Sequence, residues 1–373
     1  MRVLFWTDWF LPSIGGVEVF SARLLPELVR RGHDITVVAG HHRAGLPDEL
    51  DFMGVAVRRF WFHPVLAAHD VERMSEILSR IARLKRALAP DLIHLNTLGP
   101  SVLFHLETVR RSAPPTLLTM HSPVAEDASR GDTLYGRALR SAAWVNCNSE
   151  AVRTDLCRHA RDMWNRSSVT YYGMEAPALR QPRPREQPQV LAFGRLVPEK
   201  GFDLAVRAFQ TVARRVPRAR LVLAGDGAAR PGLERLVADL GLSSAVEFLG
   251  MVAPEDVPAL LGSSSVVVVP SRWEEPFGLV ALEAALMARP VVAARIGGLV
   301  EVVEEGRTGL LVDCDDSAAL ARAIIHLLED PELADRMGIA ARERARERFA
   351  WDRCINEYEQ LYDRTRQLEG NHA

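Results

Sequence analysis

Lysine is almost missing from this 373-residue chain: Lys85 and Lys200 are the only two among 46 basic residues, the rest being arginine. Cysteine is scarce too. Cys147, Cys157, Cys314 and Cys354 are too few for a disulfide framework and lack the short paired spacing of a zinc site. They read as reduced, structural thiols. No apolar run approaches the ~20 residues that span a bilayer. Asp8 cuts the apolar start MRVLFWTDWF far short of a signal-peptide core, so a cytoplasmic protein is expected. A basic tail is absent and the formal net charge is -2, which argues against nucleic acid as a partner. The absence of a short-period repeat excludes solenoids and propellers.

What is present is a globular composition, 48% hydrophobic and 25% charged, in a chain too long for one ordinary core. Short β-branched runs alternate with helical patterns. Strands are predicted at 3–6, 34–40, 55–60, 91–96 and 116–121, with a helix from Glu18 to Arg31 closed by Gly32. The scheme repeats at 190–194, 220–225, 246–250, 266–270 and 291–294. Helical patterns fall near 203–215, 231–240, 255–262, 277–288 and 317–329. Between the halves, Pro177, Pro182, Pro184 and Pro188 mark a linker that cannot sustain regular structure. Two open α/β domains with parallel sheets are expected, with ligands outside the carboxyl ends of the strands.

The most informative stretch is PSRWEEPFGLVALEAALMARPVVA. Pro276 stands where a first helical residue would, and Phe277, Gly278 and Leu279 would then offer unpaired N–H groups to an anion. Gly278 would let a phosphate approach the backbone. Glu275 alone reads as a cap, and Glu283 alone as a solvated helix residue. Together on so apolar a helix they call for polar partners such as sugar hydroxyls. In LAFGRLVPEKGFDLAV, Arg195 and Lys200 sit on one strand-to-helix loop and could clamp a diphosphate. Gly15 and Gly16 follow the first strand, where a tight turn or a close phosphate both fit. His121 closes a strand, where a histidine is more often structural than catalytic.

These pieces, in this order, resemble the retaining glycosyltransferases of family 4, glycosyl transferases group 1. The resemblance runs through GGVE, RGHDITVV, TMHS, FGRLVPEKG, LAGDG, FLG, PSRWEEPFGLVALEA and GGLVEVVEEGRTGLLV. It implies a GT-B fold: two Rossmann-like domains with parallel sheets facing across a cleft, and a C-terminal helix crossing back to the first. The implied bounds are an acceptor-side domain at 1–180, a linker at 181–189, a nucleotide-sugar domain at 190–348 and the helix at 349–373. By the same resemblance, a hexose moves from a UDP- or GDP-sugar to a hydroxyl of a glycan, lipid-linked or small-molecule acceptor, without metal or cofactor. Arg195 and Lys200 would bind the diphosphate, with backbone donors from Phe277, Gly278 and Leu279. Glu275 would hold the transferred sugar, Glu283 the ribose, and Met251 would lie beside the base. Gly16, beside Gly15, would approach the diphosphate, and His121 the sugar. The chain departs from the family pattern at Tyr171-Tyr172-Gly173, where PNG is common.

Other readings stay in view. Asp313-Cys314-Asp315 spells a metal-binding DxD, yet its place before Ser317 reads better as a helix cap. LVLAGDGAAR with Glu247 suggests a dinucleotide oxidoreductase, but Arg230 replaces the third glycine. An epimerase on the same scaffold, a pyridoxal-phosphate phosphorylase and a non-enzymatic glycan-binding module, which would not need a diphosphate clamp, complete the set. The segment Val71 to Leu88 carries Arg73, Arg80, Arg83, Lys85 and Arg86. It reads either as a face for anionic lipid at the inner membrane surface or as a solvated helix packed on its own sheet.

Overall fold

The computed structural model describes residues 1–13, 15–109, 113–124, 132–179 and 186–369. The chain divides into two compact units, Met1–Tyr172 with the segment from Asp352 onward, and Gly173–Trp351. Most of the proline-rich linker expected at 181–189 lies outside the described residues. Residues 173–179 count with the second unit because Met174 bridges Ala350 and Pro177 accepts from Arg342.

The first unit is an eight-stranded sheet: β1 (Arg2–Trp6), β2 (Asp34–Gly40), β3 (Glu49–Phe52), β4 (Val55–Phe60), β5 (Leu92–Leu95), β6 (Thr116–Met120), β7 (Trp144–Cys147) and β8 (Ser167–Val169). Its order is β3-β4-β2-β1-β5-β6-β7-β8, parallel except for β3, which pairs antiparallel with β4. β1 stands between β2 and β5, so the strand order reverses there. The inner strands are buried on both faces, which is why they read as unbroken apolar runs. Three strands escape that signal: β3 is a polar edge, β7 carries Asn146, and β8 has only three residues.

The C-terminal helix, Trp351–Glu369, belongs to this unit. It covers the face of the sheet that carries His94. The Tyr362 hydroxyl lies 2.9 Å from His94 Nδ1, and Thr119 Oγ1 lies 2.8 Å from Nε2. At the helix's near edge Glu359 accepts from Arg31, at 2.7 Å. Burial pushes the His94 imidazole down to about 3, so it sits neutral between its two hydroxyl partners.

The second unit is a six-stranded, fully parallel sheet: β9 (Gln189–Phe193), β10 (Arg220–Ala224), β11 (Val246–Gly250), β12 (Val266–Val269), β13 (Val291–Ala294) and β14 (Gly309–Val312). The order β11-β10-β9-β12-β13-β14 reverses between β9 and β12. Phe202, Phe209, Leu221, Val266 and Ile324 are buried in one cluster between this sheet and its helices.

The helix expected at 277–288 is shorter, Leu279–Leu286. Gly278 is its N-cap at φ 102°, a left-handed conformation that places the helix start beyond Pro276. Pro276 therefore belongs to the preceding loop. The basic face expected on Val71–Leu88 is also incomplete. Ile77 and Ile81 are buried, and Lys85 turns inward to donate to the His105 carbonyl (3.0 Å) and Thr108 Oγ1 (2.8 Å). No helix among the described residues is long and apolar enough to cross a membrane. All four cysteines are unbridged, with Cys147 and Cys354 buried.

Candidate functional site

Reversal of strand order in the second unit leaves the ends of β9 and β12 diverging, the kind of crevice in which open α/β sheets hold ligands. Three loops meet there, and glycines let their backbones touch. Gly201, at φ 67°, lies so close to the Pro270 carbonyl that a Cβ would stand 2.0 Å from its oxygen. A Cβ on Gly297 would fall 2.3 Å from Glu275 O, and one on Gly298 would fall 2.5 Å from Phe277 Cα. Gly298 N–H donates to Glu275 O at 2.7 Å. GGLVE therefore supplies a backbone bed for EPFG.

On that bed the structure joins residues 75 positions apart. Lys200, from the loop after β9, donates to Glu275 Oε1, from the loop after β12. Ser271 Oγ donates to the same oxygen at 2.7 Å. Glu275 is only 7% exposed, so its charge depends on these partners. Oε2 receives no hydrogen bond from a described residue. Arg195, on the Lys200 loop, is exposed and forms no ion pair with a described residue. Beyond Glu275, Phe277 is buried against Phe349. Gly278 then opens the helix whose first-turn N–H groups, on Leu279, Val280 and Ala281, have no intrahelical acceptor. The free first-turn N–H groups thus begin two residues after the expected Phe277, with Leu279 common to both sets. Glu283 is half-buried in that helix, and Met251, 75% exposed, follows β11 two strands from β9.

A second network, not visible in the sequence, ties these loops together. Arg272 forms a fork on Asp203 (2.6 and 2.8 Å) and donates to Asp315 at 2.5 Å. Its backbone N–H donates to Glu199 O at 2.9 Å. The fork holds the Asp203 carboxyl below its ordinary range. The only sequence signal for it was the DxD of Asp313 and Asp315. Asp315 is occupied by Arg272, and the cap of the following helix is Asp316, accepting from Ala319 N–H at 2.7 Å. The expected cap is displaced by one residue. Gly225 and Gly227 likewise serve backbone packing: Cβ atoms there would meet the Gly194 and Leu196 carbonyls at 1.9 and 2.5 Å.

In the first unit, Gly15 is the N-cap of the helix Gly16–Arg30, and Gly16 is exposed at its first position. The space beside Gly15 holds the Glu18 carboxylate, 2.3 Å from where a Cβ would lie. His121 has both nitrogens engaged inside the unit. Tyr172 OH lies 2.6 Å from Nδ1 and Asn96 Oδ1 lies 3.0 Å from Nε2. Burial lowers its pKa to about 3, so the ring is a neutral strut.

Comparison with known proteins accords with this geometry. Residues 178–344 match the family model for glycosyl transferases group 1, and residues 14–175 match glycosyltransferase family 4. A D-inositol 3-phosphate glycosyltransferase of Corynebacterium efficiens is 39% identical over 93% of this chain and 90% of its own. A GDP-mannose-dependent alpha-(1-6)-phosphatidylinositol monomannoside mannosyltransferase of Mycolicibacterium smegmatis is 29% identical, covering 92% and 94%. Sucrose-phosphate synthase from Thermosynechococcus elongatus superposes with a TM-score of 0.83 at 25% identity, over 97% of this chain and 98% of that one. The chain is a glycosyltransferase of GT-B type and belongs to glycosyltransferase family 4, the glycosyl transferases group 1.

Proposed function

We propose that this enzyme moves a hexose from a UDP- or GDP-sugar to a hydroxyl acceptor with retention of anomeric configuration and without a divalent metal. The observation that carries the reading is the contact of Lys200 with Glu275 at the switch point of the second sheet. A nucleotide sugar presents a diphosphate oxygen and sugar hydroxyls within one short span. A cation beside a carboxylate matches both.

Breaking the anomeric bond leaves negative charge on the departing diphosphate. Lys200 and the exposed Arg195 are placed to neutralise it, and the helix N–H groups after Gly278 add fixed dipoles. Glu275 Oε2 accepts from hydroxyls of the transferred sugar, Glu283 from the ribose, and Met251 packs beside the base. Metal independence is supported by the ion pair of Asp315, one carboxylate of the DxD, with Arg272. No cofactor is needed. The acceptor is a glycan, a lipid-linked sugar or a small polyol, and the enzyme works in the cytoplasm, with contact to anionic lipid as a second proposal to be checked by liposome sedimentation.

The test is a thermal-shift panel of UDP-, GDP- and ADP-sugars followed by product analysis. Transfer should survive chelator, and NMR of the product should show the anomer of the donor. Lys200→Ala or Glu275→Ala with normal turnover would defeat the proposal, as would a strict requirement for metal.

A further inference from the structure

The first sheet has its own switch point, between β1 and β5, and no role has been given to what stands there. Asp8 leaves β1 at that point. It is 5% exposed, an unusual burial for an aspartate. The Ser101 N–H donates to its Oδ1 at 3.1 Å. Its Oδ2 occupies the space beside Gly99, 1.1 Å from where a Cβ would be, so only glycine at 99 leaves room for this carboxylate. Oδ2 takes no hydrogen bond from any described residue. Oδ2 is not sealed from solvent, so it can accept a hydrogen bond from a donor outside the chain.

The neighbours indicate what that donor belongs to. His63 Nε2 lies 3.3 Å from Oδ1, off the line of a hydrogen bond, and is a buried nitrogen without a partner. The His63 ring stacks on half-buried Trp9, with centroids 4.5 Å apart and planes at 10°. The loop that carries Trp9 is held from below by Arg59, fully buried, whose guanidinium donates to the Leu11 carbonyl at 2.7 Å and the Pro47 carbonyl at 3.0 Å. An arginine is spent on fixing this loop rather than on a charge partner. Aromatic rings beside an accessible carboxylate oxygen are the makings of a small-molecule site. A sugar or cyclitol ring offers C–H faces to the rings and hydroxyls to the polar atoms. An anionic ring would be repelled by Asp8.

We propose that Asp8, Trp9 and His63 form the acceptor subsite of this glycosyltransferase, and that the ring they hold is a neutral polyhydroxylated one. The proposal rests on the transfer reading above, in naming the acceptor class, but draws on residues of the first unit alone. Asp8 takes a hydroxyl proton of the acceptor in a hydrogen bond and fixes its orientation; it is a specificity-determining residue.

The test uses the full chain labelled with 5-fluorotryptophan, its Trp9 resonance assigned with Trp9→Phe. Methyl α-mannoside, methyl α-glucoside, myo-inositol and inositol 1-phosphate are the probes, without donor. A saturable shift of the Trp9 resonance with a neutral ring is expected. Kinetics with GDP-mannose or UDP-glucose should show Asp8→Asn raising the acceptor KM by at least about tenfold, the loss of one charged hydrogen bond. Affinity for GDP or UDP should stay within about twofold. A silent Trp9 resonance across the panel overturns the proposal. So does a preference of about tenfold or more for inositol 1-phosphate over inositol, or an acceptor KM unchanged in Asp8→Asn. The Trp9 signal needs no donor, so failure to bind GDP and UDP would count against the donor reading alone.

Discussion

Both units place a carboxylate where the strand order of their sheet reverses, and they support it in opposite ways. Glu275 is held by charge, from Lys200, on loops tied by the Arg272 fork. Asp8 is held by a backbone N–H beside the stacked rings of Trp9 and His63, on a loop fixed by carbonyl contacts with a buried arginine. Nine of the eleven histidines fall between His33 and His159 in the first unit, while the second holds only His326 among its residues. Charge suits the diphosphate proposed for the second unit, and stacked rings suit the polyhydroxylated ring proposed for the first. The same topology has been given two chemistries.

The largest effect that could break this comparison is expected in acid. His94 and His121 are buried and neutral, each lowered to about 3, whereas unfolded histidine titrates near 6.5. Between those values the unfolded chain binds more protons than the folded one. Stability is therefore complete above pH 6.5 and falls as pH drops toward 3, by up to about 1.4 kcal/mol per pH unit for each histidine. Asp203, depressed by Arg272, contributes above its ordinary 3.8 and loses its contribution only below that. Hydrogen exchange followed by mass spectrometry at pH 7 and pH 4.5 should show the first unit losing protection well before the second. Equal loss in both would mean the imidazoles do not distinguish them.

Next in size is the charged clamp. Lys200→Ala strips a 7%-exposed carboxylate of its cation, and Glu275→Ala removes the acceptor. Each should lower kcat/KM by roughly 10- to 150-fold, the equivalent of about 1.5–3 kcal/mol. Neither should touch the melting of the first unit.

These residues show how far the sequence could be read. β12, Val266–Val269, announces itself because a strand buried on both faces has no polar position. β7 does not, because Asn146 interrupts it and only the sheet around it makes the segment a strand. Lys200 and Glu275 could each be found beside a strand end, but that they touch depends on β9 and β12 being neighbours, which no local pattern encodes. Arg272 was invisible for the same reason: its partners lie 69 and 43 positions away. His121 could be found at its strand end, but that Tyr172 and Asn96 meet its two nitrogens depends on segments 51 and 25 positions away.

Comparable in size is the difference between glycines that merely turn and glycines that pack. Gly201→Ala would set a Cβ 2.0 Å from a carbonyl oxygen at positive φ, whereas Gly32, at φ 92°, has nothing within 4 Å. The first should cost about 3 kcal/mol or more and the second about 1, from dihedral strain alone. Calorimetric melts of both variants would show whether the clamp loops are as rigid as their contacts imply. Smallest of all, Arg272→Lys keeps the charge and loses the fork on Asp203. With about a third of both side chains exposed, the change should amount to about 1 kcal/mol or less, seen as a few-fold rise in donor KM at unaltered kcat.

The C-terminal helix has a consequence for synthesis. The segment that covers His94 and anchors Arg31 is made only after the whole of the second unit. Until it emerges, the N-terminal sheet exposes an uncovered face, with Phe5 and His94 lacking their roof. The unit made second can close first, and the one begun first must wait for the helix that follows it. A ribosome stalled before Trp351 would therefore release a chain whose opening half, not its truncated tail, is the unfinished and aggregation-prone part.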